Sequence, residues 1–152
     1  METLEPLIKS HPFFKDLDPT HISTLTGCAA NKIFAAGTFL TRAGEEANEF
    51  YLIRHGLVSI ETSIGSGEPF VLQTADDGDI IGWSWLVPPY YWHFDARAEV
   101  ETRVFVLDGA CIRKKCQENN ALGYELLKRF AQIMERRLEA TRLQLIDVYG
   151  KH

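Results

Sequence analysis

The sequence has no long apolar run, no strong charge of one sign and no paired-cysteine motif, and each lack removes a class of protein. No uninterrupted stretch approaches the roughly 18–20 apolar residues that a membrane-spanning helix needs. The opening METLEPLIKSHPFF has no basic segment followed by an apolar one, so it does not read as an export signal. Sixteen Lys and Arg stand against 21 Asp and Glu, a net charge of −5, which provides no basic stripe for a phosphate backbone. Cys28, Cys111 and Cys116 include no CxxC pair, and without an export signal they are expected to be reduced thiols of a cytoplasmic protein. Three thiolates cannot complete a four-thiolate zinc or iron–sulfur site. The histidines at 11, 21, 55, 93 and 152 show no ligand spacing near any cysteine, so no metal is expected. GxSxG, P-loop and HExxH motifs are absent and the carboxylates are scattered, which points away from an enzyme.

What is present suits a single globular domain: 152 residues, 45% apolar and 24% charged. Residues 1–31 are expected to hold short N-terminal helices. Leu4, Leu7 and Ile8 share a helical face until His11-Pro12 stops the turn, and Asp18-Pro19 is an N-cap and first-turn pair for a second helix through about Thr26. From 32 to 107 the signal changes to short runs rich in Ile, Val, Phe and Thr, punctuated by glycine at 37, 44, 56, 65, 67, 78 and 82. That pattern predicts roughly eight strands in an antiparallel β-sandwich or barrel. Ala36-Gly37, His55-Gly56 and Asp77-Gly78 are plausible tight turns. Residues 108–150 return to helix, one short helix starting after Asp108 and a long one capped by Asn119-Asn120. Along the long helix Leu127, Ala131, Met134, Leu138, Thr141, Leu145 and Val148 recur at spacings of four and three. At 1.5 Å per residue a helix from 121 to 148 spans roughly 42 Å. Such a helix either lies across the domain as cover or pairs its distal half with a second chain, and the continuing seam favours pairing.

Taken in order, Gly37, Gly44, Tyr51, Ile53 and Gly56, then GDIIG at 78–82 and MERRLEAT at 134–141, resemble the cyclic-nucleotide-binding domain that forms the sensor half of catabolite activator protein regulators. The resemblance runs from about His11 to Val148. It implies a mainly β fold: an antiparallel double-stranded β-helix, or jelly-roll barrel, with short N-terminal helices and a long C-terminal one. It also implies that a short helix after GDIIG presents free N–H groups to a cyclic phosphate. In the family a glutamate follows the glycine and binds the ribose, and an arginine about nine residues later pairs with the phosphate. Counting from Gly82 and anchoring on Ala98, Trp83 stands at the glutamate position and Trp92 at the arginine position, with His93 beside it. The same register puts Ser84 in the ligand segment and makes Thr141 the hydroxyl residue that reaches the base from the dimer helix.

Replacing both ligands by indoles argues against ordinary cyclic AMP binding. Removing one partner of a buried charge pair costs roughly 2–5 kcal/mol, and losing a hydrogen bond to a buried ribose hydroxyl costs about 1–3 kcal/mol more. Together these turn a micromolar site into one of millimolar affinity or weaker. The segment GWSWLVPPYYWHFDA holds all three tryptophans, and its rings either plug the barrel or build a changed ligand or partner site. Arg97 is a nearby cation whose face of the sheet the sequence leaves open. His93 as a haem or metal ligand lacks an evident second axial partner.

The resulting expectation is a non-catalytic regulatory domain with no certain cofactor, cyclic nucleotide being the candidate ligand. It is a homodimer through Leu127, Met134, Leu138 and Leu145, acting on a protein partner in trans and pivoting near residues 118–122. A helix-turn-helix domain follows the long helix in full-length regulators of this type; here the chain ends at His152, so specific DNA binding is not expected, nor membrane association. Two alternatives stand beside it: a genuine cyclic AMP receptor with atypical contacts, and a sensor for a different small molecule.

Overall fold

The computed structural model describes residues 4–63 and 67–150. Helix α1 (Glu5–Lys9), a 3-10 turn (Pro12–Phe14) and α2 (Pro19–Thr26) precede eight strands. These are β1 (Ala29–Phe34), β2 (Phe39–Thr41), β3 (Glu49–His55), β4 (Leu57–Thr62), β5 (Phe70–Asp76), β6 (Ile80–Ile81), β7 (Asp95–Ala98) and β8 (Thr102–Asp108). Helices α3 (Gly109–Glu118) and α4 (Asn120–Tyr149) complete the chain. The strands form two four-stranded sheets, ordered β1-β8-β3-β6 and β2-β7-β4-β5, with antiparallel pairing throughout. The architecture is the expected mainly β jelly roll with flanking helices, its strands divided between two facing sheets. β1 begins at Ala29, inside the stretch assigned from sequence to the N-terminal helices.

Local chemistry explains the element ends. Asp18 accepts the Thr20 N–H at the start of α2, Asp108 accepts the Cys111 N–H at the start of α3, and Asn119 accepts the N–H groups of Ala121 and Leu122 at the start of α4. Gly56 turns β3 into β4 with φ +148°, and a Cβ there would lie 2.4 Å from Thr102 Oγ1, so only glycine fits.

On α4, Leu122, Leu126, Phe130 and Ile133 form the buried stripe, at spacings of four, four and three. Phe130 meets Phe50 and Trp85 edge-on, both with centroids 5.4 Å away, and Phe13 at 5.3 Å. The proximal half of the helix therefore seals both the β core and the N-terminal turn. From Leu138 onward every described residue of α4 is exposed.

The cysteines require a correction. Cys28 and Cys111 are joined in a disulfide with Cα atoms 5.8 Å apart, and only Cys116 is a free thiol. The expectation of reduced thiols treated positions 83 residues apart as unrelated. Antiparallel pairing of β1 with β8, and a hydrogen bond from the Asp108 N–H to the Cys28 carbonyl, bring them together. With that pair oxidised, the thiol-based argument for a reducing, cytoplasmic setting falls away. No described helix is long and apolar enough to cross a membrane.

Candidate functional site

The segment between β6 and β7 leaves the sheet at Gly82, whose φ is +98°. Its backbone is tied to the loop before β3. Gly44 N–H donates to the Trp92 carbonyl (2.8 Å), Trp92 N–H to Glu45 (2.9 Å) and Ala47 N–H to Tyr90 (2.7 Å). Two turns, Leu86 to Trp83 and Tyr90 to Val87, carry the chain across the top, and no helix forms here. The resemblance implied a helix N-terminus as an anion cradle; that expectation is not met. Pro88 and Pro89 have no N–H to donate to a helical ladder or to an anion.

The three indoles take different roles. Trp92 is 4% exposed and lies directly on Gly82: a Cβ there would fall 2.3 Å from the Trp92 ring. The Trp92 ring thus covers the backbone at Gly82, the two positions that the resemblance set apart. Trp85 is fully buried, stacked on Phe50 at 4.6 Å, with its N–H bonded to the Gly82 carbonyl. Trp83 is half-buried, and its ring carries the Arg137 guanidinium 5.0 Å from its centroid. Ser84 is buried and His93 exposed. Thr141 is also exposed, its hydroxyl donating to the Arg137 carbonyl of its own helix. Gly82 and Trp92 are in contact, whereas His93 and Thr141 face solvent. Among the described residues no group of three or more His, Cys, Asp or Glu is placed to hold a metal.

Arg97 settles on the outer face. It pairs across the β4–β7 ladder with Ser59 and forks onto Glu61, from Nε (3.1 Å) and Nη2 (2.8 Å). Val58, Ile60, Ala96 and Ala98, which alternate with these residues, belong to the core. The Arg97 guanidinium holds the buried Glu61 carboxyl below its usual range, so each neutralises the other on that face of the sheet. The segment 82–94 contains no Lys or Arg.

A cavity of 680 Å³ lies between the second sheet and α4. Its walls are Ile60 of β4, Gln73–Ala75 of β5, the turn at Asp77–Asp79 and the helix residues Ile133, Arg136, Arg137, Ala140 and Gln144. None of the six residues that the family register assigned to the ligand is on its wall. Arg137 is the functional candidate that sequence reasoning missed. It lies four residues after Ile133, on the stripe that buries Leu126 and Phe130, so the helical period could have found it. The heptad seam drew attention to the neighbouring face.

Comparison with known proteins agrees with this architecture. The family profile for the cyclic nucleotide-binding domain matches residues 31–119. Cyclic nucleotide-gated ion channel 18 of Arabidopsis thaliana is 28% identical over 87 residues, 55% of this chain and 12% of the channel. The anaerobic regulatory protein of Bacillus subtilis (strain 168) is 31% identical over 93 residues, 60% of this chain and 39% of the regulator. The chain thus spans well under half the length of either relative. Among solved structures, a Geobacter metallireducens GS-15 protein named for cyclic nucleotide binding superposes with a TM-score of 0.79 at 27% identity, covering 91% of this chain and 99% of that one.

Proposed function

Because the chain belongs to the cyclic nucleotide-binding domain family, we propose that it is a non-catalytic sensor domain whose 82–94 segment no longer recognises cyclic AMP in the usual way. Its output then passes through the exposed seam of α4. The observation that carries this reading is the Trp92 ring seated on Gly82 in a segment without helix or cation. A cyclic phosphate entering there would meet an apolar ring in place of a guanidinium, and would be desolvated without a partner. Arg97 offers no rescue, since Glu61 already holds it on the outer face.

The seam supports the output half. Leu138 and Leu145 are about half exposed and Leu127 is similar, a row of leucines left in water on a well-formed helix. A second copy of this chain, or a helix of another protein, would bury it. The resemblance to a bacterial regulator fits a role in which a ligand biases that contact.

Titration calorimetry with cyclic AMP and cyclic GMP tests the reading. Dissociation constants of about 1 mM or weaker are expected. Micromolar binding of either would overturn it in favour of a cyclic-nucleotide receptor with atypical contacts. A second reading, a sensor for a different small molecule, is favoured by the cavity beside Arg137.

A further inference from the structure

Arg137 is buried deeply enough to disfavour its own charge, yet no carboxylate among the described residues lies within ion-pair distance of it. Its guanidinium donates to the Ile80 carbonyl and rests on the Trp83 ring. That holds the planar group in place while using few of its five N–H donors. Arg136, also without an ion pair among the described residues, stands on the same wall and repels it. Two guanidiniums facing one cavity, Arg136 from its exposed rim, offer charge-assisted hydrogen bonds to an anion between them. Two acidic residues reach the same turn, but both are engaged. Asp77 accepts from the Gly56 N–H and pairs with His55, and Asp79, which favours the Arg137 charge from a distance, accepts from the Asp76 N–H.

We propose that this cavity binds a small organic anion, its carboxylate or phosphate held by Arg137 and Arg136 and its apolar body lodged against Ile60, Ala75 and Ile133. A volume of 680 Å³ lies within the usual range for small-molecule sites. The anion-holding group has thereby moved from the loop between two strands to the long helix, where occupancy acts directly on the element that carries the exposed seam. A ligand gripping Arg137 also loads the Trp83 ring beneath it, so binding couples the helix to the 82–94 segment. The inference rests on the sensor reading above and names the chemistry of its ligand.

The test uses the full chain and four probes: phenyl phosphate, benzoate, uncharged benzyl alcohol, and cyclic AMP, followed by the NMR resonances of the Trp83 indole N–H and the Arg137 Nε–H. Phenyl phosphate or benzoate should shift both resonances along one saturable curve, and benzyl alcohol should not. The stronger anion tells whether the site prefers phosphate or carboxylate. Arg137→Gln should weaken binding at least tenfold, and Arg136→Gln less. If neither anion saturates by about 10 mM, ten times a millimolar constant, the proposal is overturned. It is equally overturned if the Arg137 resonance of the unsubstituted protein stays still while an anion binds, an outcome that does not depend on whether Arg137→Gln folds. Cyclic AMP binding at micromolar levels with shifts confined to 82–93 and insensitive to Arg137→Gln would instead sink the reading of that segment. Failure of both simple anions leaves that reading standing.

Discussion

His11 is 5% exposed between the N-terminal turn and β3, with both ring nitrogens engaged. Nε2–H donates to the Ile53 carbonyl, and Nδ1 accepts the Phe13 N–H, so the ring is bound in its neutral form. Burial lowers its pKa below the ordinary value of about 6.5. A group whose folded value is depressed stabilises fully above its unfolded pKa and loses that contribution as pH falls through the folded one. The melting temperature should therefore decline as pH drops below about 6.5, and His11→Asn should flatten the decline in the same scan. At Gly82 the constraint is steric. Alanine would place a methyl against the Trp92 ring at a positive φ, so Gly82→Ala should cost about 1–3 kcal/mol in denaturant unfolding. The sequence marked both Gly82 and Trp92, since the register set them apart. It did not say that the two would touch, because that contact closes a loop of nine intervening residues whose path depends on bonds to 44–47.

Helix α3 starts at the disulfide and ends where α4 begins, so the Cys28–Cys111 bond ties the end of the N-terminal helices to the start of the short helix that leads into α4. Closing so long a stretch of chain restricts the unfolded state and contributes about 2–4 kcal/mol. Reduction by dithiothreitol, or Cys28→Ser, should lower the stability measured in guanidinium by that amount; no loss would show that the bond is dispensable. The elements themselves were well marked beforehand. Asp18-Pro19, Asp108 and Asn119 announced helix starts because a capping side chain reaches only two or three residues along the chain. The helix expected after GDIIG was a different matter: it came from resemblance, and the segment instead forms two turns around Pro88-Pro89.

For the molecule taken whole, the question is what covers α4. Its 30 residues span about 45 Å, and the buried stripe ends at Ile133, with every described residue from Leu138 onward exposed. Light scattering should return twice 17.3 kDa, and Leu138→Asp should halve it by placing a charge in the seam. A dimer unchanged by that substitution would place the contact elsewhere, and a monomeric parent would point to a different protein as partner.

Fold class, the number of strands and the helix caps were all readable along the chain, because each depends on neighbours within a few residues or on position in an ordered motif. Three things were not: the bond between Cys28 and Cys111, the outward face of Arg97, and the inward one of Arg137. Each depends on which strands and helices pack together, an outcome of the whole core burying its apolar surface at once. The physics that hid them is the same that makes Arg137 informative, since only a packed helix could hold a guanidinium over an indole at the edge of an open cavity.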